Sequence, residues 1–147
     1  MSATLRRAVG SDVPALNALI KASRAYQGEF APMLEGYAIT AAQVDQDHYV
    51  VAEQAGEILG FYSLIVEGEP ELDLMFVADS AQGTKLGSRL FEDMAAQARS
   101  RGIDAVKIVA NPPAERFYLR MGTERIGTKL PKGRITWRQP ILYLRLR

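Results

Sequence analysis

Gln82-Gly83-Thr84-Lys85-Leu86-Gly87-Ser88 follows the apolar run Leu74-Met75-Phe76-Val77 and opens a stretch in which Leu86, Leu90, Met94 and Ala98 recur at helical spacing, with Phe91 and Ala95 beside them. A strand, a glycine-containing turn and a helix are therefore expected in that order. The first turn of a helix leaves backbone N–H groups without partners and carries the positive end of the helix dipole. Glycine lets an anion approach such groups closely because no Cβ intervenes. Gly83 and Gly87 bracket the turn, Gln82 and Ser88 carry donors, and Lys85 adds charge, so the stretch suits phosphate groups. Taken alone, it suits an ordinary strand-to-helix connection equally well. It is not a Walker A loop, because no Gly-Lys-[Ser/Thr] triplet follows, and it lacks the three spaced glycines of a dinucleotide fingerprint.

Working outward, Glu71–Val77 is the strand before the turn, set off by Gly68-Glu69-Pro70, and Gly102 can end the helix after it in a left-handed conformation. Ala105–Ala110 is a short, nearly continuous apolar run, as in a buried strand. Asn111-Pro112-Pro113 reads as a helix start with Asn111 as cap; Ala114, Phe117, Tyr118 and Met121 form its buried side, and Gly122 ends it. Upstream, His48–Glu53 and Ile58–Val66 read as a hairpin around Gln54-Ala55-Gly56-Glu57. Thr4–Ala8 is a short strand. Ser11 or Asp12 should cap a helix with Pro14 in its first turn and Val13, Leu16, Leu19 and Ile20 on its buried face. Between Ser23 and Asp47, glycines and Pro32 interrupt scattered apolar residues, giving short helices and loops. The tail should hold a short strand near Arg125 and a longer one from Ile135 to Leu146, in which Pro140 implies a bulge or an unpaired edge position. The whole reads as one mixed α/β domain over residues 1–147.

The 147 residues carry a formal net charge of +1, so the total makes no case for nucleic acid or membrane partners. The distribution is uneven. After Arg120 the chain holds Arg125, Lys129, Lys132, Arg134, Arg138, Arg145 and Arg147 against Glu124 alone. Glu53, Glu57, Glu67, Glu69, Glu71 and Asp73 span a stretch without a base. With no cysteine and a single histidine, thiolate metal sites, an acyl-cysteine route and a His cluster are excluded. His48 is expected to be a strand-end residue without a chemical role, and Trp137 a packing residue. No apolar run is long enough to cross a bilayer, and a cytoplasmic protein is expected.

Three motifs in sequence carry more than any one of them. The strand Leu74-Met75-Phe76-Val77, then Gln82-Gly83-x-x-Leu86-Gly87-x-x-Leu90, then a strand, then Asn111-x-x-Ala114-x-x-Phe117-Tyr118-x-x-x-Gly122 resembles the GNAT superfamily of N-acetyltransferases. The opening at Arg6 and the Val50–Leu64 hairpin are similar to that family too. The resemblance implies a central mixed, mostly antiparallel sheet flanked by helices, in which the parallel strands Glu71–Val77 and Ala105–Ala110 splay apart. Acetyl-CoA would lie between them as a pseudo-strand against Met75, Phe76 and Val77. Its pyrophosphate would sit on Gln82, Gly83, Thr84, Lys85, Leu86, Gly87 and Ser88, with Asn111, Ala114, Phe117 and Tyr118 on the other side. Lys85 stands where the family has glycine or alanine, so its φ must accommodate a Cβ.

The resemblance also implies roles. An alkylamine with a pKa near ~10.4 is mostly protonated at neutral pH, so transfer needs a base. Glu71 takes the position where the family often places its glutamate, and Asp73 is the second candidate. Tyr118 matches the tyrosine that serves as general acid to the leaving thiol, and a backbone N–H near Met75 or Phe76 would polarise the thioester carbonyl. Phe117 reads more naturally than Tyr118 as the core aromatic. Tyr26, Phe30 and Tyr37 lie in the segment that in this family often covers the acceptor. Acetyl would pass directly to a small-molecule or peptide amine, without a metal. Relatives often dimerise through the C-terminal strands, so a homodimer is consistent with the resemblance. From a different class, a non-catalytic acyl-CoA-binding module fits the same cofactor residues.

Overall fold

The computed structural model describes residues 2–24 and 28–146, so the expectation for Tyr26 lies outside the described residues. The strands are β1 (Thr4–Arg7), β2 (His48–Gln54), β3 (Glu57–Ile65), β4 (Glu71–Val77), β5 (Ala105–Val109), β6 (Glu124–Lys129) and β7 (Gln139–Arg145). They form one sheet in the order β1-β2-β3-β4-β5-β7-β6, antiparallel throughout except between β4 and β5. The α-helices are α1 (Val13–Ala22), α2 (Ala41–Gln46), α3 (Leu86–Ser100) and α4 (Glu115–Arg120).

Strands buried on both faces need apolar residues at successive positions, and side chains alternate between the faces. Phe61 and Tyr62 of β3 accordingly enter opposite cores. Leu16, Leu19 and Ile20 of α1 and Val44 of α2 pack with Val51, Phe61 and Phe76 on one face. Leu86, Leu90, Phe91, Met94 and Ala98 of α3 and Tyr118 of α4 pack with Tyr62, Leu64, Leu72, Val106 and Ile108 on the other. Gly60 sets how closely α3 lies on the sheet. A Cβ there would stand 2.9 Å from the Phe76 carbonyl oxygen and 3.1 Å from Leu90 Cδ1.

One irregularity matters for the site. On β3, Ser63 faces Leu74 and Leu64 faces Leu72, which leaves Asp73 as an extra residue on β4. Simple alternation would place Leu72, Leu74 and Phe76 on one face. With the bulge, Leu72 joins the α3 core while Leu74 and Phe76 pack on the α1 side.

Four local expectations are corrected. Asp12 does not cap α1 with its side chain; its carboxylate accepts from the Val9 N–H (2.8 Å) and takes both Arg6 guanidinium nitrogens at 2.9 and 3.0 Å, which holds its pKa below the usual range. Asn111 likewise makes no capping bond; the segment enters through a 3-10 turn, Pro112–Ala114, before α4. The last strand starts at Gln139, not Ile135, because Ile135 instead bridges to Lys132 across a tight turn. Pro140 is neither bulged nor on an edge: β7 is interior, the bulge falls in β6 between Arg125 and Gly127, and the Pro140 carbonyl accepts from Ala110 N–H just beyond the end of β5.

His48 opens β2 and is buried, with Nδ1 accepting from Arg101 Nη2 at 3.1 Å and Nε2 without a partner. Burial, then Arg7 and Arg101, push its pKa down to about 4, against the pull of Asp93. The neutral ring is thus favoured by folding, and its contribution is full above the ordinary pKa and lost as pH falls through ~6.5 towards 4. Urea melts of wild type and His48→Gln should therefore converge over that window, by at most about 3 kcal/mol. Parallel stability curves would contradict this.

Candidate active site

β4 and β5 share one ladder pair, Glu71 with Lys107, supported by Lys107 N–H donating to the Pro70 carbonyl at 3.0 Å. Beyond it the strands diverge, and the edge of β4 from Leu72 to Val77 opens on a cleft. Two adjoining hollows mark it. The inner one, about 40 Å³, is lined by Asp73, Leu74, Ile108, Asn111 and Tyr118 among others. The outer one, about 190 Å³, lies between Val77, Gln82 and Gly87 on one side and Ala114 and Phe117 on the other. Met75, Phe76, Ala114 and Tyr118 line both.

At the outer end stands the turn quoted first. The chain leaves β4 through a 3-10 turn, Asp79–Ala81, and Gln82 Nε2 donates back to the Val77 carbonyl at 3.1 Å. Gly83 has φ +80° and Lys85 φ +67°, so two of three successive residues are left-handed before α3 begins at Leu86. Lys85 thus adopts a conformation that costs a residue with a Cβ about 1–2 kcal/mol. The strain is held by the first bond of the helix, from Arg89 N–H to the Lys85 carbonyl at 3.1 Å. A Cβ on Gly87 would touch the Phe117 ring at 3.6 Å and Met75 Cε at 3.7 Å, narrowing the gap between α3 and α4.

Of the two candidate carboxylates Asp73 lines the inner hollow, whereas Glu71 stands at the closed end of the cleft, in the ladder pair with Lys107, and lines neither hollow. The pKa of Glu71 is raised by burial first and by Asp73 second, against the pull of Lys107 and Lys129. Lys107 does not neutralise it, because its Nζ lies 3.3 Å from Glu69. Asp73 is also raised, by the desolvation of its carboxyl and by Asp47, although the residue as a whole is exposed at the bulge. A carboxylate whose proton is held more tightly than usual is a better base near neutral pH. Glu71 is the less exposed as a residue, but Asp73 is the one whose side chain borders the inner hollow.

Tyr118 is buried and packs edge-on against Phe117, with ring centroids 5.3 Å apart, and beside Phe91 at 6.0 Å. The expected division between these neighbours is reversed in burial, since Phe117 is the more open of the two and walls the outer hollow. Tyr118 is a core residue and a cleft residue at once. Asn111 lines the inner hollow, but its amide is engaged: Oδ1 accepts from Trp137 Nε1 and Gln139 Nε2, both at 3.0 Å, and Nδ2 donates to Met33 Sδ.

The residues expected at the acceptor are not brought together. Phe30 meets Trp137 edge to face at 5.0 Å, whereas the Tyr37 hydroxyl accepts from Gln43 Nε2 and Tyr37 lines a separate hollow of about 690 Å³ between α1 and residues 28–38. Met33 and Leu34, which no pattern singled out, reach the inner hollow, and Ser23 reaches the outer one. They sit in or beside the irregular segment, where neither period 2 nor period 3.6 assigns a facing.

A family model for the Acetyltransferase (GNAT) domain matches residues 21–138. The 5-NmdU N-acetyltransferase of Pseudomonas phage PaMx11 is 39% identical over an alignment of 83 residues, with 54% of this chain and 59% of that protein covered. The chain therefore matches less than two thirds of that relative's length. A GCN5-related N-acetyltransferase from Rhodopseudomonas palustris superposes with TM-score 0.81 at 18% identity, covering 99% of this chain and 96% of the other. The PaiA N-acetyltransferase of Thermoplasma acidophilum, solved with coenzyme A, gives 0.77 at 16%, covering 99% of both. At these identities the two structures speak for the fold.

The left-handed Lys85 generates a direct test. Lys85→Gly should raise stability in a thermal or urea melt by up to about 1 kcal/mol, since relief of strain outweighs the added freedom of glycine in the unfolded chain. Lys85→Ala keeps the Cβ and should show no such gain; equal gains from both would mean that charge, not backbone, is what Lys85 costs.

Proposed function

The chain belongs to the GNAT acetyltransferase family, and on that premise we propose that it moves an acetyl group from acetyl-CoA directly to a primary amine. The observation that carries this reading is the cleft, a strand edge left open after one ladder pair, with a left-handed turn at one end and two carboxyls of raised pKa at the other, Asp73 in the inner hollow and Glu71 at its closed end. The residues present fit the donor. Met75, Phe76 and Val77 offer an open strand edge for its amide-bearing arm, and Gln82–Ser88 offers the N-terminus of α3 for its phosphates. Ala114 and Phe117 face that edge across the outer hollow. When bound, the donor supplies an acetyl group activated as a thioester.

In this reading Glu71 accepts the proton of the incoming ammonium group, directly or through water, with Asp73 raising its affinity for that proton. Tyr118 donates its hydroxyl hydrogen bond to the departing sulfur. A phenol near ~10 is a weaker acid than a thiol near ~8.5, so full proton transfer is uphill by roughly 2 kcal/mol, and stabilising the thiolate suffices. The C–N bond forms as the C–S bond breaks, the nitrogen's second proton passes to the departing thiolate to give the free thiol, and with no cysteine in the chain no acyl-cysteine intervenes. The likeness to the phage 5-NmdU N-acetyltransferase supports 5-NmdU, named for that protein, as a candidate acceptor.

Tyr118→Phe should lower turnover by about tenfold or more while leaving affinity for acetyl-CoA nearly unchanged. Undiminished turnover would remove the hydroxyl from the reaction. Glu71→Gln should cost about 10²–10⁴ in rate, with the largest loss on the acidic side of neutrality, where neutral amine is scarcest. An unaltered pH–rate profile would transfer the role to Asp73 or bulk water. The same variant should melt at a higher temperature than wild type at neutral pH. A carboxyl whose folded pKa is raised stabilises the fold only while protonated, and that contribution is lost as pH rises through its folded pKa.

A further inference from the structure

The outer hollow has walls from both faces of the sheet. Gly87 of α3, with Ala114 and Phe117, stands on one side, and Ser23, the residue that ends α1, stands on the other. α1 packs on the Phe76 face and α3 on the opposite one, so Ser23 reaches the open edge of β4 from the face that α3 and α4 do not cover. A serine at a helix end commonly bonds its hydroxyl back to a carbonyl of the last turn. Here only the backbone does so. Ser23 N–H donates to the Ile20 carbonyl at 3.2 Å, and the chain then leaves extended, at φ −69° and ψ 124°. Ser23 is 7% exposed, yet among the described residues its hydroxyl has no hydrogen-bond partner. The hydroxyls of Tyr49 and Ser63 also lack partners, but their oxygens are sealed in the interior, whereas Ser23 borders the cleft.

A buried hydroxyl without a partner costs about 1–3 kcal/mol, and alanine would fill the same space without that cost. Such a group in the wall of a cleft is accounted for when a ligand completes the bond. On its other side Ser23 borders a groove of about 540 Å³ floored by Ala15, Ala18 and Ala22, whose side chains carry no polar atom. Glu57 and Asp79 line that groove too, and neither bonds the hydroxyl. We propose that the Ser23 hydroxyl hydrogen-bonds the polar arm of acetyl-CoA and so holds the donor against β4 from the α1 side. A hydroxyl gives one hydrogen bond and accepts two, so it can serve an amide N–H, a carbonyl or another hydroxyl of that arm. Ser23 binds the donor in this account and moves no proton. The inference rests on the acetyl-transfer reading, which puts the donor in this cleft.

The test is calorimetric titration with coenzyme A. One neutral hydrogen bond predicts that Ser23→Ala binds coenzyme A about two- to tenfold more weakly than wild type. Adenosine 3′,5′-bisphosphate, the nucleotide end of the donor without its arm, should bind both proteins alike. The variant's melting temperature should be no lower than that of wild type, because the hydroxyl bonds nothing in the free protein. Unchanged affinity for coenzyme A, an equal loss for both ligands, or a lowered melting temperature would each overturn the proposal. A raised KM for the amine with the coenzyme A Kd unchanged would overturn it too, by giving the hydroxyl to the acceptor. Failure of wild type to bind coenzyme A would remove the acetyl-transfer reading itself. Tight binding by wild type and variant alike would remove the role of Ser23 alone.

Discussion

The single ladder pair between Glu71 and Lys107 is the constraint on which the site depends. A sheet interior ordinarily pairs its backbone groups, and a buried group left without a partner costs about 1–3 kcal/mol. Here the sheet stops pairing at its centre, where β4 and β5 run parallel and separate. The strands on either side are zipped by antiparallel registers, β5 with β7 without a break and β3 with β4 broken only at the Asp73 bulge, so the opening cannot close by sliding. The opening is thus a property of the topology. It presents a strand edge to whatever extended, amide-bearing group enters.

The rest of the site follows from what β4 does along its length. The extra residue at Asp73 switches the facing of the strand, sending Leu72 to one core and Leu74 and Phe76 to the other. It also sets a partly desolvated carboxyl beside Glu71 and raises that neighbour's pKa. At the far end, two left-handed residues turn the chain into α3 so that the helix begins at the mouth of the cleft. α4 closes the other wall with Phe117 and Tyr118, and Asn111 joins that wall to the segment entering β7 through Trp137 and Gln139. One strand therefore carries both chemical ends of the site.

Much of this was readable before any coordinates. The extents of β4 and α3 and the β2–β3 turn follow from period, glycine placement and apolar runs, because those elements bury enough surface for the pattern to dominate. Single polar side chains were harder. Asp12 and Asn111 both occupy positions where a cap is expected, yet each is drawn into a stronger tertiary arrangement, Arg6 for one and Trp137 with Gln139 for the other. The bulge at Asp73 left no mark, since Leu-Asp-Leu reads as ordinary alternation. The irregular stretch after α1 was the least readable, because its 3-10 turns have no amphipathic period, and it contributes Met33 and Leu34 to the cleft. The resemblance marks Lys85 as the place where glycine or alanine is usual, but the expected φ is one that accommodates a Cβ, whereas the residue is left-handed.

Amide hydrogen exchange with and without coenzyme A tests the central claim most directly. If the open edge of β4 receives the donor, added coenzyme A should slow exchange at Met75, Phe76 and Val77 and across Gly83–Ser88. The already paired amides of β5 facing β7 should be unchanged. Binding that leaves the β4 edge exchanging at its free rate, or that protects only other segments, would contradict the account.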